Sequence, residues 1–177
     1  MLIHKKITEL SKWLSVTERT VLLDALKGPE IYHSLSLYDY VSVVAVDENG
    51  LIPLVRQYRP ALDRFTIEFP GGLLDTSETP EYCARRELFE ETGLTPKATM
   101  KSLPCLYPDT GRLENRLWGF FAEVKGQAEP SWCAEDGLKP IFVTQDQLQK
   151  MILDGEFNHA SHIALFGLAL LIGYLKL

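Results

Sequence analysis

Glu87, Glu90 and Glu91 are the residues from which chemistry can be argued first. On a helix, at roughly 100° per residue, the three carboxylates fall within an arc of about 100° on one face. Like charges placed this way cost about a few tenths of a kcal/mol per pair on a solvated helix. A hard divalent cation among them offsets that cost. Mg2+ takes oxygen ligands, keeps several of its waters and bridges carboxylates to substrate phosphates. The face geometry alone leaves a second reading open, a charged solvent-facing helix partly neutralised by Arg85 and Arg86.

The surrounding elements must position that face. Thr79-Pro80 is a helix start, with a capping side chain followed by proline in the first turn. The helix is predicted to run to about Thr92 and to stop at Gly93, a natural C-terminal glycine. Upstream, Arg64–Phe69 reads as a strand closed by Pro70-Gly71-Gly72. Tyr40–Val46 reads as a central strand, Asp47–Gly50 as a hairpin turn and Leu51–Tyr58 as its partner strand. Residues 7–45 read as strands and turns, with extended segments at Trp13–Leu23 and Glu30–Leu37. Further strands are expected near Thr99–Leu106, Leu113–Glu123 and Ile141–Val143. A helix over about Thr144–Leu153 and an apolar helix over Ile163–Leu175 complete the chain. Strands mixed with separated helices predict an α+β fold, an α/β/α sandwich.

Composition narrows the function. The 177 residues carry 18 Lys+Arg and 24 Asp+Glu, a net charge of −6, with 46% hydrophobic and 24% charged residues. That is an ordinary globular composition, neither disordered nor fibrous. An acidic chain with no basic stripe argues against nucleic acid as a partner. Cys83, Cys105 and Cys133 form no C-x-x-C pair, so neither a zinc site nor a disulfide framework is expected, and a reducing cytoplasm is the simplest home. The segment MLIHKKITELSKW lacks the apolar core of a signal peptide. Ile163–Leu175 is 13 residues with two glycines. A bilayer span needs about 20 apolar residues, so this reads as a buried helix and no membrane partner is expected.

The stretch Gly72–Leu94, GLLDTSETPEYCARRELFEETGL, resembles the box of the Nudix hydrolase family, G-x5-E-x7-R-E-U-x-E-E-x-G-U with U aliphatic. Gly72, Glu78, Arg86, Glu87, Leu88, Glu90, Glu91, Gly93 and Leu94 fill every defined position. Chance agreement at ordinary residue frequencies is on the order of one in a million. The resemblance implies a Nudix fold, with a mixed sheet between helices, and hydrolysis of a nucleoside diphosphate linked to another group, assisted by Mg2+ or Mn2+. It implies metal binding by Glu87, Glu90 and Glu91, joined by the Gly71 carbonyl, with Glu78 and Arg86 orienting the box alongside Gly72 and Gly93.

The flanks Val55-Arg56-Gln57-Tyr58-Arg59-Pro60 and Ile67-Glu68-Phe69-Pro70-Gly71-Gly72 resemble the run found in ADP-ribose and nucleotide-sugar pyrophosphatases. They imply substrate contacts from Arg56 and Arg59, the latter at the pyrophosphate, where a guanidinium fork suits phosphate. Glu68 is expected either beside the metal or behind its ligands. Downstream of the box that subgroup carries a proline where this chain has Thr110, with Pro108 two residues early. This departure widens the expected substrates from ADP-ribose to GDP-mannose and other nucleotide sugars. Arg112 and Glu114, in the polar run that follows, are expected to line a sugar or base pocket, or else a solvated hairpin. A general base is expected on a late loop at Glu135, then Asp136, with Glu91 as the alternative. Residues 1–37 are expected to form a β arm that makes a homodimer, and 38–177 the hydrolase domain. Trp13, Tyr32, Tyr38 and Tyr40 are stacking candidates. His159 and His162 read as capping or solvent-exposed. The alternative functions are a house-cleaning hydrolase of noncanonical nucleoside triphosphates and a non-catalytic nucleotide-sugar sensor.

Overall fold

Alternation along two strands decides the architecture. In the computed structural model, which describes residues Met1–Lys176, β4 (Tyr40–Val46) pairs in parallel with β8 (Leu117–Glu123). Val41, Val43 and Ala45 of β4, with Phe120 and Ala122 of β8, face one core; it also holds Cys83, Ala84 and Leu88 of the helix α1 (Pro80–Thr92). The intervening Val44, Leu117 and Phe121 face a second core with Leu165, Phe166 and Ala169 of α3 (Ala160–Ile172). Period-two side chains thus put a helix on each face of the sheet, the expected α/β/α sandwich. Gly119 permits the close approach of α3, since a Cβ there would lie 2.2 Å from Leu165 Cδ2.

This unit comprises Tyr40–Leu106 and Leu117–Leu177. Its first sheet has the order β4-β8-β7, with the two-residue β7 (Lys101–Ser102) antiparallel to β8, so the sheet is mixed. Its second sheet, β6-β5-β9, is antiparallel and contains β5 (Leu51–Arg59), β6 (Arg64–Glu68) and β9 (Leu138–Thr144). The helix α2 (Gln145–Leu153) follows, opened by a capping box between Thr144 and Gln147. Two expected strands are shorter than their sequence pattern. Only Lys101–Ser102 of Thr99–Leu106 pairs as a strand, and Leu113–Arg116 does not belong to β8. Leu103 still donates to Gly119 and Leu106 still pairs with Leu117, but only as an isolated bridge, and Arg112 and Glu114 bond Leu35 of β3 (Glu30–Ser36) instead of extending β8. The C-terminal helix spans Ala160–Ile172, starting earlier than the apolar run.

The other unit comprises Met1–Asp39 and Tyr107–Arg116. Its sheet has the order β1-β2-β3, from Leu2–Ser11, Leu14–Val21 and Glu30–Ser36. The segment 107–116 is tied to β3, because the Leu35 N–H donates to the Arg112 carbonyl at 2.7 Å and the Glu114 N–H donates to Leu35 at 3.1 Å. Every residue of β1 is exposed. No helix of the described residues is long and apolar enough to cross a membrane.

Candidate active site

The box helix forms as its ends dictate. The Thr79 hydroxyl accepts from the Tyr82 N–H, Pro80 opens the first turn, and Gly93 closes the last turn at φ 71. Along it, Arg86 gathers the outer carboxylates. Its Nε and Nη2 donate to Glu78 at 2.8 and 2.9 Å, and its Nη1 reaches Glu87 at 2.8 Å and Glu90 at 2.9 Å. Hydrogen bonding to Arg86 holds Glu78 below the usual carboxylate range. Burial pushes the Glu87 carboxyl up, against the opposing pull of Arg86.

Glu91 is different. It is 7% exposed and accepts one hydrogen bond, from the Gly71 N–H at 2.8 Å. Burial pushes its carboxyl up to about 8; the Gly71 bond opposes this and the neighbouring Glu87 reinforces it. A buried carboxyl with that little compensation is the environment a cation would reverse. The Pro70–Gly72 turn is packed against the same group. A Cβ at Gly71 would lie 2.2 Å from the Val41 carbonyl oxygen, and one at Gly72 2.3 Å from the Glu87 carboxylate. Glu87, Glu90 and Glu91 offer only carboxylate oxygens, donors of the kind a hard divalent cation takes, and Arg86 engages the first two of them.

Glu135 and Asp136 lie where β9 enters the second sheet. The β5–β9 register pairs Gln57 with Leu138. The Glu135–Gly137 turn, with Gly137 at φ 85, therefore lines a cavity of about 280 Å³ together with Gln57, Tyr58 and Glu91. The two late-loop candidates and the box carboxylate thus meet at one opening.

A second cavity, about 140 Å³, is lined by Tyr40, Arg59, Glu68, Gly71, Gly72 and His162 among others. Arg59 does not present a free fork to it. Its Nε and Nη2 donate to the two Glu68 oxygens at 2.9 and 2.6 Å, which leaves three of five N–H groups for a ligand. Burial works against a charged Glu68, but the Arg59 and Thr66 hydrogen bonds outweigh it and hold the carboxyl at about 2. One potential ligand atom from each of Glu68, His159 and His162 lies within 4.8 Å of the others. The group is a poor cation site. Both Glu68 oxygens are engaged by Arg59, whose own charge repels a metal, and His162 Nδ1 accepts from the Phe69 N–H at 3.1 Å.

His162 corrects the sequence reading. It is 4% exposed rather than solvated, and burial, reinforced by His159, pushes its imidazole down to about 3. The signal was present: His162, Leu165, Phe166 and Ala169 stand at i, i+3, i+4 and i+7, the buried stripe of α3. His159 sits at the N-cap position but makes no side-chain cap bond.

Arg56 lines neither of these two cavities. Arg56 is separated from Arg59 by an odd number of positions, so strand alternation turns it to the opposite face. It stacks on Phe65 at 3.8 Å and lines a different cavity with Arg64 and Asn158. Glu114 accepts from Arg19 at 2.7 Å and Ser34 at 2.5 Å within the N-terminal unit, and the Arg19 bond holds it at about 2. Its carboxylate serves that unit's own cohesion, and Arg112 is exposed in the adjoining turn. Trp13 and Tyr38 pack edge-to-face at 5.9 Å beside a cavity of about 250 Å³ in that unit. The exposed Tyr32 donates to Glu30, and Tyr40 reaches Ser161 at 3.5 Å.

Known proteins resemble this chain in sequence and in fold. The chain is 42% identical over 83 residues to an ADP-ribose pyrophosphatase of Bacillus subtilis (strain 168), covering 47% of this chain and 44% of the relative. It is 34% identical over 93 residues to an ADP-sugar pyrophosphatase of Mus musculus, covering 46% and 42%. The matches span less than half the length of either relative. The solved structure of an ADP compounds hydrolase superposes with a TM-score of 0.77 at 18% identity, over 96% of this chain and 91% of that one, and so shares the fold. The NUDIX domain model matches residues 37–166. That span holds the whole box, the glycine turn and the Glu135–Gly137 loop, and the chain belongs to the Nudix family.

Proposed function

We propose that this chain hydrolyses the pyrophosphate bond of ADP-ribose or a related nucleoside diphosphate sugar such as GDP-mannose, with Mg2+ as cofactor and Mn2+ as a substitute. The products are a nucleoside monophosphate and a sugar phosphate. One observation carries the reading: Glu91, buried and short of positive charge, opens on the cavity that also receives Glu135 and Asp136. The names of the two pyrophosphatase relatives support it.

Glu87, Glu90, Glu91 and the Gly71 carbonyl would hold the metal. When bound, it supplies positive charge to the phosphate oxygens and acidity to a water. The chain's own residues do the rest. Gly71 fixes Glu91 through its N–H, and Arg86 sets Glu87 and Glu90. Arg59, steadied by Glu68, turns its remaining N–H groups to the substrate phosphates. Glu135, or Asp136 beside it, takes the proton from the attacking water.

We further propose a homodimer in the cytoplasm. Leu2, Ile3, Ile7 and Leu10 of β1 are exposed, and a second copy would cover them. Sedimentation at micromolar concentration is expected to give twice the 20.0 kDa chain mass; a 20 kDa species alone removes the dimer.

The activity is tested by mass-spectrometric product analysis with Mg2+ on ADP-ribose, nucleotide sugars, dinucleotides and nucleoside triphosphates. Monophosphate plus sugar phosphate is expected from a nucleotide sugar. Pyrophosphate released from triphosphates alone would overturn the assignment in favour of a house-cleaning hydrolase.

A further inference from the structure

His162, 4% exposed, is a buried ionisable group that the proposed chemistry leaves unused. Its surroundings fix its proton. A backbone N–H can only donate, so the Phe69 N–H at 3.1 Å requires an unprotonated Nδ1. A neutral imidazole then carries its hydrogen on Nε2. Two features keep the ring neutral, burial in the apolar stripe of α3 and the His159 ring stacked on it at 3.9 Å and 22°. Nε2 has no partner among the described residues, and His162 lines the cavity shared with Tyr40, Arg59, Gly71 and Gly72. Nε2 is not among the fully buried unpartnered atoms, so its N–H opens onto that cavity and is free to donate. An oxygen-bearing ligand would satisfy it.

The other end of the ring bears on the catalytic turn. Phe69 is followed directly by Pro70–Gly72, whose Gly71 N–H holds Glu91 and whose Pro70 carbonyl accepts from the Val43 N–H at 2.9 Å. His162 thus anchors, through Phe69, the backbone that places the box carboxylate.

We infer that His162 works at both ends of its ring: Nδ1 positions the Phe69–Gly72 segment, and Nε2–H donates a hydrogen bond to an oxygen of the sugar-phosphate half of the substrate. This rests on the nucleotide-sugar reading above. The cavity volume, about 140 Å³, supports the sugar-phosphate half. Pockets that enclose drug-sized ligands run from about 300 Å³, so this one takes a sugar or a phosphate rather than a whole nucleoside.

The test separates the two ends. His162→Asn keeps an acceptor at the Nδ1 position and removes the Nε2 donor; His162→Leu removes both. For His162→Asn we expect a melting temperature and kcat close to wild type, with KM for the nucleotide sugar raised about tenfold, the loss of one hydrogen bond. His162→Leu should lose kcat as well. Unchanged KM in His162→Asn overturns the substrate bond, and kcat lost equally in both variants overturns the anchor. A readout independent of turnover is the ring 15N spectrum of the wild-type protein at pH 7. It should show Nε2 protonated and Nδ1 bare, with Nε2 shifting when α,β-methylene ADP-ribose is added. A protonated Nδ1, or no shift at saturation, sinks the inference. Failure of the parent reading looks different: wild-type protein that hydrolyses no nucleotide sugar removes that reading and the substrate bond with it.

Discussion

Two buried glutamates flank the Pro70–Gly72 turn, and their environments diverge. Glu68, on β6, is 3% exposed and carries a bidentate bond from Arg59 plus one from Thr66, which together keep it ionised down to about 2. Glu91, on α1, is 7% exposed, has a single backbone donor and rises to about 8. Burial alone therefore does not mark the reactive group. What separates the pair is whether the protein supplies its own countercharge. Glu68 has its cation built in, whereas Glu91 lacks one among the described side chains that bond it, which is where an external cation has most to gain.

Removing the charge at Glu91 should have the largest effect. Glu91→Gln keeps the side-chain length and an acceptor for the Gly71 N–H. Hydrolysis should fall about 10²- to 10³-fold while circular dichroism and thermal unfolding stay close to wild type. Near wild-type turnover would break the contrast between the two glutamates.

The adjacent glycines sharpen it. At Gly71 an added Cβ meets the Val41 backbone carbonyl at 2.2 Å, which cannot step aside. Gly71→Ala should therefore destabilise by about 2–3 kcal/mol in denaturant unfolding. At Gly72 the collision is with the Glu87 carboxylate at 2.3 Å, the far end of a flexible side chain. Gly72→Ala should leave stability nearly intact but lower activity about 10- to 100-fold by displacing that carboxylate. Equal stability losses would mean that the box face is no more movable than the strand beneath it.

Glu68→Gln should show the inverse of Glu91→Gln. It strips one charge-assisted partner from Arg59, and the expected loss is about 1–2 kcal/mol of stability. Arg59 is 43% exposed, and solvent screening keeps the value modest. Urea unfolding at pH 7 reads this directly. Activity should drop less than in Glu91→Gln, because Arg59 keeps its remaining donors.

Much of this contrast could be read before the fold was seen. The box spacing named the carboxylate face, and Thr79, Pro80 and Gly93 marked the ends of its helix because capping is local physics. The nearly continuous apolar run YVSVVAV read as a central strand, which β4 is. Two further points were available but needed stricter bookkeeping. Period two separates Arg56 from Arg59, and the i, i+3, i+4, i+7 pattern buries His162. Other features lie beyond local pattern. Glu114 finds Arg19 across 95 residues, and β1 owes its pairing to β2 rather than to an alternation of its own. Nothing within Pro70–Gly72 itself reports that a histidine on the last helix holds Phe69.

The smallest expected effect concerns protons, and its sign follows from the same pair. A carboxyl raised in the folded state favours the protonated form there. Glu91 thus weakens the metal-free protein as pH rises from its unfolded value, about 4.3, through about 8. Glu68, depressed to about 2, contributes stability that is present above about 4.3 and lost as pH falls toward 2. Between pH 5 and 8 the Glu68 contribution is constant, but the buried neutral His162 still gains stability up to about pH 6.5, so it is the difference between wild type and Glu91→Gln in chelator that isolates Glu91. Wild type should lose stability relative to Glu91→Gln as pH rises across that window. Added Mg2+ should close the gap, because a cation favours the ionised carboxylate and displaces its proton. At pH 7 a group titrating at about 8 is mostly protonated, so calorimetry in buffers of different ionisation enthalpy should register release of close to one proton per protein as Mg2+ binds. Glu91→Gln should release none from this group. The same release in both proteins would place the proton on another carboxyl of the box, with Glu87, also raised by burial, the first to examine.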